Sequence, residues 1–267
     1  MLIAQISDMH LRAEGQLLYD RIDTGGYLER AVAHVLKLDP RPDIVILTGD
    51  LVEGGKPEEY ARLRRMIAPL PMPVYVIPGN HDAREPLRAA FAGEGYFPSS
   101  GFLQYTVDDF PVRLIALDTL VEGKGYGVLC TERLAWLEAR LGEDIAKPVM
   151  LFMHHPPFEC GIDAFDRFRL NEGGARLAEL VRRHGNVERA VCGHVHRPIQ
   201  VRWAGTMASI APSTAHQATL DLHDGAPLSM MMEPPAIALH QWRPATGLVT
   251  HISYIGKFDG PKPFRKL

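Results

Sequence analysis

The stretch VCGHVHRP (191–198) sets two imidazoles, His194 and His196, two residues apart behind a short apolar run. Four other apolar runs end in side chains of the same kind. LIAQIS is followed by Asp8 and His10, DIVILTG by Asp50, PVYVIPG by Asn80 and His81, and VMLFM by His154 and His155. One histidine in such a place is ordinarily a hydrogen-bonded structural residue. Five coincident sets point to a single shared site, because ligands of open α/β sheets bind beyond the carboxyl ends of the strands. The glycine before His194 permits a tight backbone that turns both imidazoles toward one rim. Carboxylate, imidazole and amide oxygen donors suit Mn, Fe or Zn. Asp8, His10, Asp50, Asn80, His154, His194 and His196 make seven such groups. With one carboxylate bridging, they supply two divalent ions and leave room for water. Two ions bring about +4, the aspartates about −2 and a bridging hydroxide about −1, leaving roughly +1 to attract an anion. Two ions about 3.5–4 Å apart clamp the attacking and leaving oxygens of a phosphoryl centre. Phosphoester hydrolysis then follows without a protein nucleophile.

These groups need strands to position them, and the chain reads as alternating strands and helices. Strand-like runs cover 2–7, 43–49, 73–79, 112–118, 149–153 and 189–193. Helical spacing covers 26–38, 57–68 with Pro57 near its start, a helix begun at Thr131, and a region near 172–184. TMASIA reads as a further strand. IALHQW (237–242) and LVTHISYI (248–255) alternate as strands joined by a turn at RPATG. The expected class is α/β with additional late antiparallel strands.

The 267 residues carry 29 Lys and Arg against 32 Asp and Glu, a net charge of −3. That suits one large domain over 1–267 and gives no basic surface for duplex nucleic acid. The three cysteines, Cys130, Cys160 and Cys192, show no CxxC spacing, so a disulfide framework or a thiolate zinc site is not expected. No apolar run approaches the ~20 residues of a membrane helix. The opening MLIAQISDMH lacks a basic n-region and a long apolar h-region, so no membrane partner and a cytoplasmic location are expected.

DMH (8–10), GDLV (49–52), GNHD (79–82), MHHPP (153–157) and GHVH (193–196), in that order, make the chain resemble the calcineurin-like metallophosphoesterases. PEEYARLRRMI, PGNHDAR and APSTAHQATLDL resemble more closely the branch of bacterial glycerophosphodiesterases and class III cyclic-nucleotide phosphodiesterases. The resemblance implies a four-layer α-β-β-α sandwich of two mixed sheets flanked by helices. It implies one metal held by Asp8, His10, Asp50 and His196. A second would be held by Asp50, Asn80, His154 and His194, with Asp50 bridging. His155 is then a supporting or structural residue. Asn80 and His81 belong to the implied catalytic set, with His81 beside the leaving group as an acid or a phosphate donor. GNHD, where protein phosphatases of the superfamily usually carry GNHE, argues against that alternative.

The implied activity is hydrolysis of a small phosphodiester, such as cyclic AMP or a glycerophosphodiester, by a metal-bridging hydroxide. The competing activities are a phosphomonoesterase or nuclease with the same metals, and a non-catalytic scaffold. His216 and Gln217 are candidate substrate contacts or ordinary loop residues. Arg84 either meets phosphate or is a solvated helix-start arginine. Phe158 and Tyr19 either stack on a base or cover the rim. The apolar stretch 226–235 is a packed connection or a subunit contact, and the region 220–255 is an expected cap or oligomerisation segment of a homo-oligomer, a dimer or larger.

Overall fold

A computed structural model describes residues 1–264. The first half builds β1 (Leu2–Ile6), β2 (Ile44–Thr48) and β3 (Val74–Ile77), with α1 (Thr24–Lys37), α2 (Pro57–Ile67) and α3 (Arg84–Ala90) following them. Next come β4 (Tyr105–Val107), β5 (Arg113–Ala116), β6 (Gly127–Val128), α4 (Thr131–Glu143), β7 (Val149–Phe152), the single turn α5 (Asp163–Asp166), β8 (Leu170–Glu172), α6 (Gly174–Arg183) and β9 (Val187–Cys192). The chain closes with β10 (Ile199–Trp203), β11 (Thr206–Ile210), β12 (Gln217–Ala218), β13 (Met230–Met231), β14 (Ala236–Arg243) and β15 (Gly247–Tyr254).

Two sheets result. One has the order β15-β14-β1-β2-β3, the other β10-β11-β9-β7-β5-β4. In the first sheet β1, β2 and β3 run parallel and the β14–β15 hairpin adds antiparallel strands on the β1 side; in the second β11, β9, β7 and β5 run parallel and antiparallel β10 and β4 close the edges. Side-chain alternation explains the stacking. Ile3, Ile44, Ile46 and Ile77 meet Leu114, Met150, Phe152 and Val191 between the sheets. The other faces of β1 and β2 (Ala4, Ile6, Val45, Leu47) pack on Leu28, Val35, Tyr60 and Leu63 of α1 and α2. Ile115, Leu151 and Ala190 pack likewise on Leu137, Leu141, Leu177 and Leu180 of α4 and α6. The architecture is therefore the expected four-layer sandwich. Each fully buried Leu or Ile contributes about 1.5–3 kcal/mol relative to exposure, which fixes where the strands end.

Local signals set the helix boundaries. Asp23 caps α1 by accepting the Gly26 N–H at 3.0 Å. Pro57 opens α2, and Glu59 accepts the N–H groups of Gly54 (2.9 Å) and Lys56 (3.2 Å). The helix expected near 172–184 begins at Gly174, because Leu170–Glu172 pairs as a strand with β6. The late hairpin joins the first sheet directly, β14 lying antiparallel to β1. Gln5 ties the two sheets near the strand ends, its Nε2 donating to Thr48 Oγ1 and to the Cys192 carbonyl, both at 2.9 Å. Its Oε1 accepts from His240 Nε2 at 3.0 Å. The buried amide of Gln5 is thereby satisfied across the sandwich.

Candidate metal centre

The carboxyl ends of β1, β2, β3, β7 and β9 converge on one cleft. The first sheet brings Asp8, His10, Asp50 and Asn80, and the second brings His154, His194 and His196. Five of these seven hold the backbone at positive φ: Asp8 (53°), His10 (44°), Asp50 (45°), His194 (75°) and His196 (56°). Non-glycine residues rarely adopt that region, and such strain gathers at functional sites. The close approach also demands glycine. A Cβ on Gly49, itself at φ 87°, would overlap the His154 ring, and one on Gly193 would overlap Ser7 Oγ and the Thr48 carbonyl.

The donor atoms form two nests. In the first, His10 Nε2 and His196 Nε2 lie 3.1 Å apart, His196 Nε2 lies 3.4 Å from Asp8 Oδ1, and His10 Nε2 lies 3.5 Å from Asp50 Oδ2. In the second, Asn80 Oδ1 lies 3.0 Å from both His154 Nε2 and His194 Nδ1, and His154 Nε2 is 3.4 Å from Asp50 Oδ2. Asp50 Oδ2 belongs to both.

The hydrogen bonds behind these rings decide what the nests want. His10 Nδ1 faces the Glu53 carboxylate at 2.7 Å, His196 Nδ1 the His216 carbonyl at 3.1 Å, and His154 Nδ1 the Thr48 carbonyl at 2.9 Å. Those partners only accept, so each Nδ1 must carry the proton. In a neutral ring the Nε2 lone pair then points into the nest. Two bare Nε2 atoms face each other at 3.1 Å in the first nest, and bare Nε2 faces carbonyl and carboxylate oxygen in the second. Acceptors crowded against acceptors require a cation or an added proton between them. Asp8 Oδ2 and His194 Nε2 are buried with no hydrogen-bond partner at all. The donor set, nitrogen and oxygen at mutual distances of 3.0–3.5 Å, fits two divalent ions.

Electrostatics agree with this arrangement. Burial raises the Asp8 carboxyl to about 6, with Asp50 adding to the rise. Burial would raise Asp50 too, but His154, His81 and His10 outweigh it and hold Asp50 well below the usual range. Burial pushes His196 down to about 3 and His194 well below its ordinary value. These two rings are therefore neutral, as ligands must be. Burial opposes the charge on His154, but Asp50 and Asp8 carry it up to about 9. That proton would have to leave His154 for its Nε2 to hold a metal.

The site residues expected from the sequence separate into those facing the nests and those behind them. His154 faces the nest, whereas His155 turns its Nδ1 to Thr119 Oγ1 at 2.8 Å and packs its ring 4.8 Å from that of His194. His81 stands beside the first nest, its ring 4.7 Å from that of His10 and its N–H donating to Asp50 Oδ1 at 2.9 Å. Its Nδ1 lies 3.2 Å from Glu53 Oε2 and 3.3 Å from the Glu53 carbonyl. Asp82 holds the loops together by accepting the N–H groups of Gly79 (2.8 Å) and Leu51 (3.1 Å) and the Tyr60 hydroxyl (2.9 Å).

Above the nests opens a cavity of about 670 Å³. His216 lines it with its ring 4.6 Å from that of His196, and Tyr19 stands at the rim. Gln217 also borders the cavity, but its amide is spent on Ser213, donating to the carbonyl at 2.8 Å and accepting the N–H at 3.2 Å. Arg84 takes neither expected role: it pairs with buried Asp118 through Nε (2.7 Å) and Nη2 (2.9 Å). Phe158 is buried in the core under the second sheet and does not line this cavity. Sequence reasoning missed Phe165, Phe168, Leu228 and Met230, which make the apolar wall, and Arg21, which adds a cation. It also missed Glu53, whose one signal was a carboxylate three residues beyond Asp50 in GDLVE.

Residues 1–198 match the family model for calcineurin-like phosphoesterases. The chain is 42% identical over 264 residues, 99% of its own length and 97% of the relative's, to a probable glycerophosphodiester phosphodiesterase GpdQ of Arcobacter nitrofigilis. It is 36% identical to the glycerophosphodiester phosphodiesterase GpdQ of Enterobacter lignolyticus, over 90% of this chain and 87% of that one. It is 32% identical to the 3',5'-cyclic adenosine monophosphate phosphodiesterase CpdA of Pseudomonas aeruginosa, over 81% and 77%. Among solved structures, a dimetal phosphatase from Danio rerio shares the fold, with a TM-score of 0.63 at 14% identity, covering 96% of this chain and 99% of that one.

Proposed function

The chain belongs to the calcineurin-like phosphoesterase family, and from that premise we propose that it is a binuclear metal-dependent phosphodiesterase acting on small phosphodiesters, glycerophosphodiesters or cyclic nucleotides. The observation that carries this reading is the pair of acceptor-only nests sharing Asp50 Oδ2. Asp8, His10, Asp50 and His196 would hold one divalent ion, and Asp50, Asn80, His154 and His194 the other. Mn, Fe and Zn all suit these nitrogen and oxygen donors. Such ions supply Lewis acidity at a phosphoryl centre and acidify a water.

The protein's own part is to bind, orient and move a proton. His81 Nδ1 is committed to Glu53, so Nε2 is the position from which a proton can pass to a departing alkoxide. Burial opposes the charge on this ring, but Asp50 and Glu53 raise it to about 10. With divalent ions held in the nests, the His81 ring would be pushed in the opposite sense, which suits an acid that must release its proton. His216 borders the substrate space. The wall of Phe165, Phe168, Leu228 and Met230 gives a second ester arm an apolar surface, which favours a diester over a simple monoester. A net charge of −3 gives duplex nucleic acid no basic track.

Among the described residues no helix is long and apolar enough to cross a membrane, and three free cysteines suit a reducing, cytoplasmic compartment. Exposed Leu220, Leu222, Met231, Met232 and Tyr254 in the late segment suit a homo-oligomeric contact. The test of the function is metal content together with kcat/KM for 3',5'-cyclic AMP, 2',3'-cyclic AMP, glycerophosphocholine, bis(p-nitrophenyl) phosphate and p-nitrophenyl phosphate, with one defined metal. Diester turnover that depends on two equivalents of metal is expected. Turnover of the monoester alone, or none with both sites filled, rejects the reading.

A further inference from the structure

Arg21 lines the cavity above the two nests from a hairpin that the fold holds in place. Leu18 and Ile22 exchange backbone hydrogen bonds, each N–H donating to the other's carbonyl at 2.9 Å, and the Arg21 N–H donates to the Leu18 carbonyl at 3.2 Å. Tyr19 and Asp20, between them, are both left-handed, at φ 50° and 56°. Two such residues in a row persist only where their surroundings over-determine them. Leu18 and Ile22 supply that support, buried on Ala215 and packed against Met230 of the apolar wall. The turn also separates its two charges. Asp20 faces a separate depression beside Arg12, whereas Arg21 faces the cavity. Arg21 is the only lysine or arginine among the described residues lining that cavity, and Asp50 is the only carboxylate. Asp50 is buried at the nests, where its oxygens are already engaged. Arg84 is occupied by Asp118 and Arg197 by Glu233, but Arg21 has no carboxylate partner among the described residues.

We propose that Arg21 is a specificity-determining residue that selects phosphodiesters whose second ester arm carries an anionic group, a carboxylate or a phosphate. This rests on the diesterase reading, in which the reacting phosphoryl group belongs at the nests and leaves Arg21 for another part of the substrate. A planar guanidinium gives either anion two parallel N–H donors. Phe165, Phe168, Leu228 and Met230 offer an apolar surface to the body of the arm, and Arg21 takes its charged end. Aromatic faces by themselves would also hold a quaternary ammonium. A guanidinium in the same cavity, with no carboxylate to neutralise it, opposes that cation.

The test uses the full chain loaded with Mn²⁺ and p-nitrophenyl diesters whose second arm is an ethyl group ending in carboxylate, phosphonate, hydroxyl or trimethylammonium. The leaving group is constant, so kcat/KM reports the arm. In the wild type an anionic arm is expected to lead, which of the two leads identifies the group, and the trimethylammonium arm should come last. Arg21→Gln should lower the ratio of the leading anionic arm to the trimethylammonium arm by about fivefold, the scale of one exposed ion pair. Arg21→Glu should lower that ratio further, and Arg21→Lys should keep most of it. Lys124→Gln removes an exposed cation beside the cavity residue Gly125 and controls for the general field; it should leave the ratio alone. Losses of the same factor for every arm would place Arg21 on the reacting phosphoryl group and overturn the assignment. So would a trimethylammonium arm that leads in the wild type, a ratio that no Arg21 variant changes, or an equal shift in Lys124→Gln. A wild-type chain that binds two metals but turns over none of the diesters would sink the function reading. The matching phosphinates, which have no ester bond to cleave, then judge Arg21 through the same ratios of Kd, measured by calorimetry.

Discussion

His154, at the end of β7, is fully buried and tied to the Thr48 carbonyl at 2.9 Å, whereas Leu228, in the wall of the cavity, is 62% exposed and follows an irregular stretch. The cradle of candidate ligands grows from the ends of five strands whose positions are fixed by two packed sheets. The apolar wall grows from the single turn α5 and from the segment around β13, a two-residue strand pairing only with β12. Strained left-handed backbone persists in the cradle because so much packing over-determines it. Nothing comparable constrains the wall. The contrast separates chemistry, which the sandwich holds rigid, from substrate choice, which loops can alter at small cost to stability.

The sharpest way to break the cradle is at its shared atom. Asp50→Ala removes the oxygen common to both nests, and paired metal binding is expected to disappear along with turnover. Two equivalents of metal retained by elemental analysis, with normal rates, would show that no carboxylate bridges the nests. Next in size comes the choice between neighbours in MHHPP. His154→Ala should empty the second site, whereas His155→Ala, which loses a contact behind His194, should weaken it by about 10–100-fold. Metal titrations giving the reverse ranking would exchange the two roles.

His81→Ala tests the border between cradle and wall. Both metals should remain bound, and the rate for cyclic AMP or a glycerophosphodiester should fall by about 10²–10⁴-fold, with much less loss for bis(p-nitrophenyl) phosphate. Equal losses on the two substrate types would move His81 from proton delivery to phosphate binding. The smallest effects belong to the wall itself. Leu228→Ser and Met230→Ser should each raise KM by roughly fivefold, about 1 kcal/mol of lost apolar contact, without changing metal content. A change in kcat with KM untouched would place these side chains in the chemistry, and the contrast between the two regions would fail.

The cradle was legible because its signal is local. Asp8, His10, Asp50, Asn80, His154, His194 and His196 each follow an apolar run, and parallel strands in one sheet end on one side. Periodicity likewise announced alternating strands and helices with late antiparallel strands, whereas the two stacked sheets with helices outside were implied by the family resemblance. The late hairpin was visible as alternating strands, but its place beside β1 was not, since pairing partners 230 residues or more apart leave no trace in either segment's pattern, as with Leu2 and Gln241.

What only the tertiary structure decided are the relations across the two sheets. Local sequence could not say that Asp50 Oδ2 sits between His10 and His154, because that depends on how one sheet stacks on the other. Nor could it send Phe158 into the core or spend Arg84 on Asp118, since burial and ion pairing are set by whichever distant groups arrive nearby. Glu53 and the apolar wall were hidden for the same reason: GDLVE and PLSMMM have no periodicity that says which rings or which cavity they will face. Residue types at strand ends therefore determined the available chemistry. The stacking of the sheets and the path of the late segment decided which atoms meet, because those distances come from long-range packing and not from any local preference of the chain.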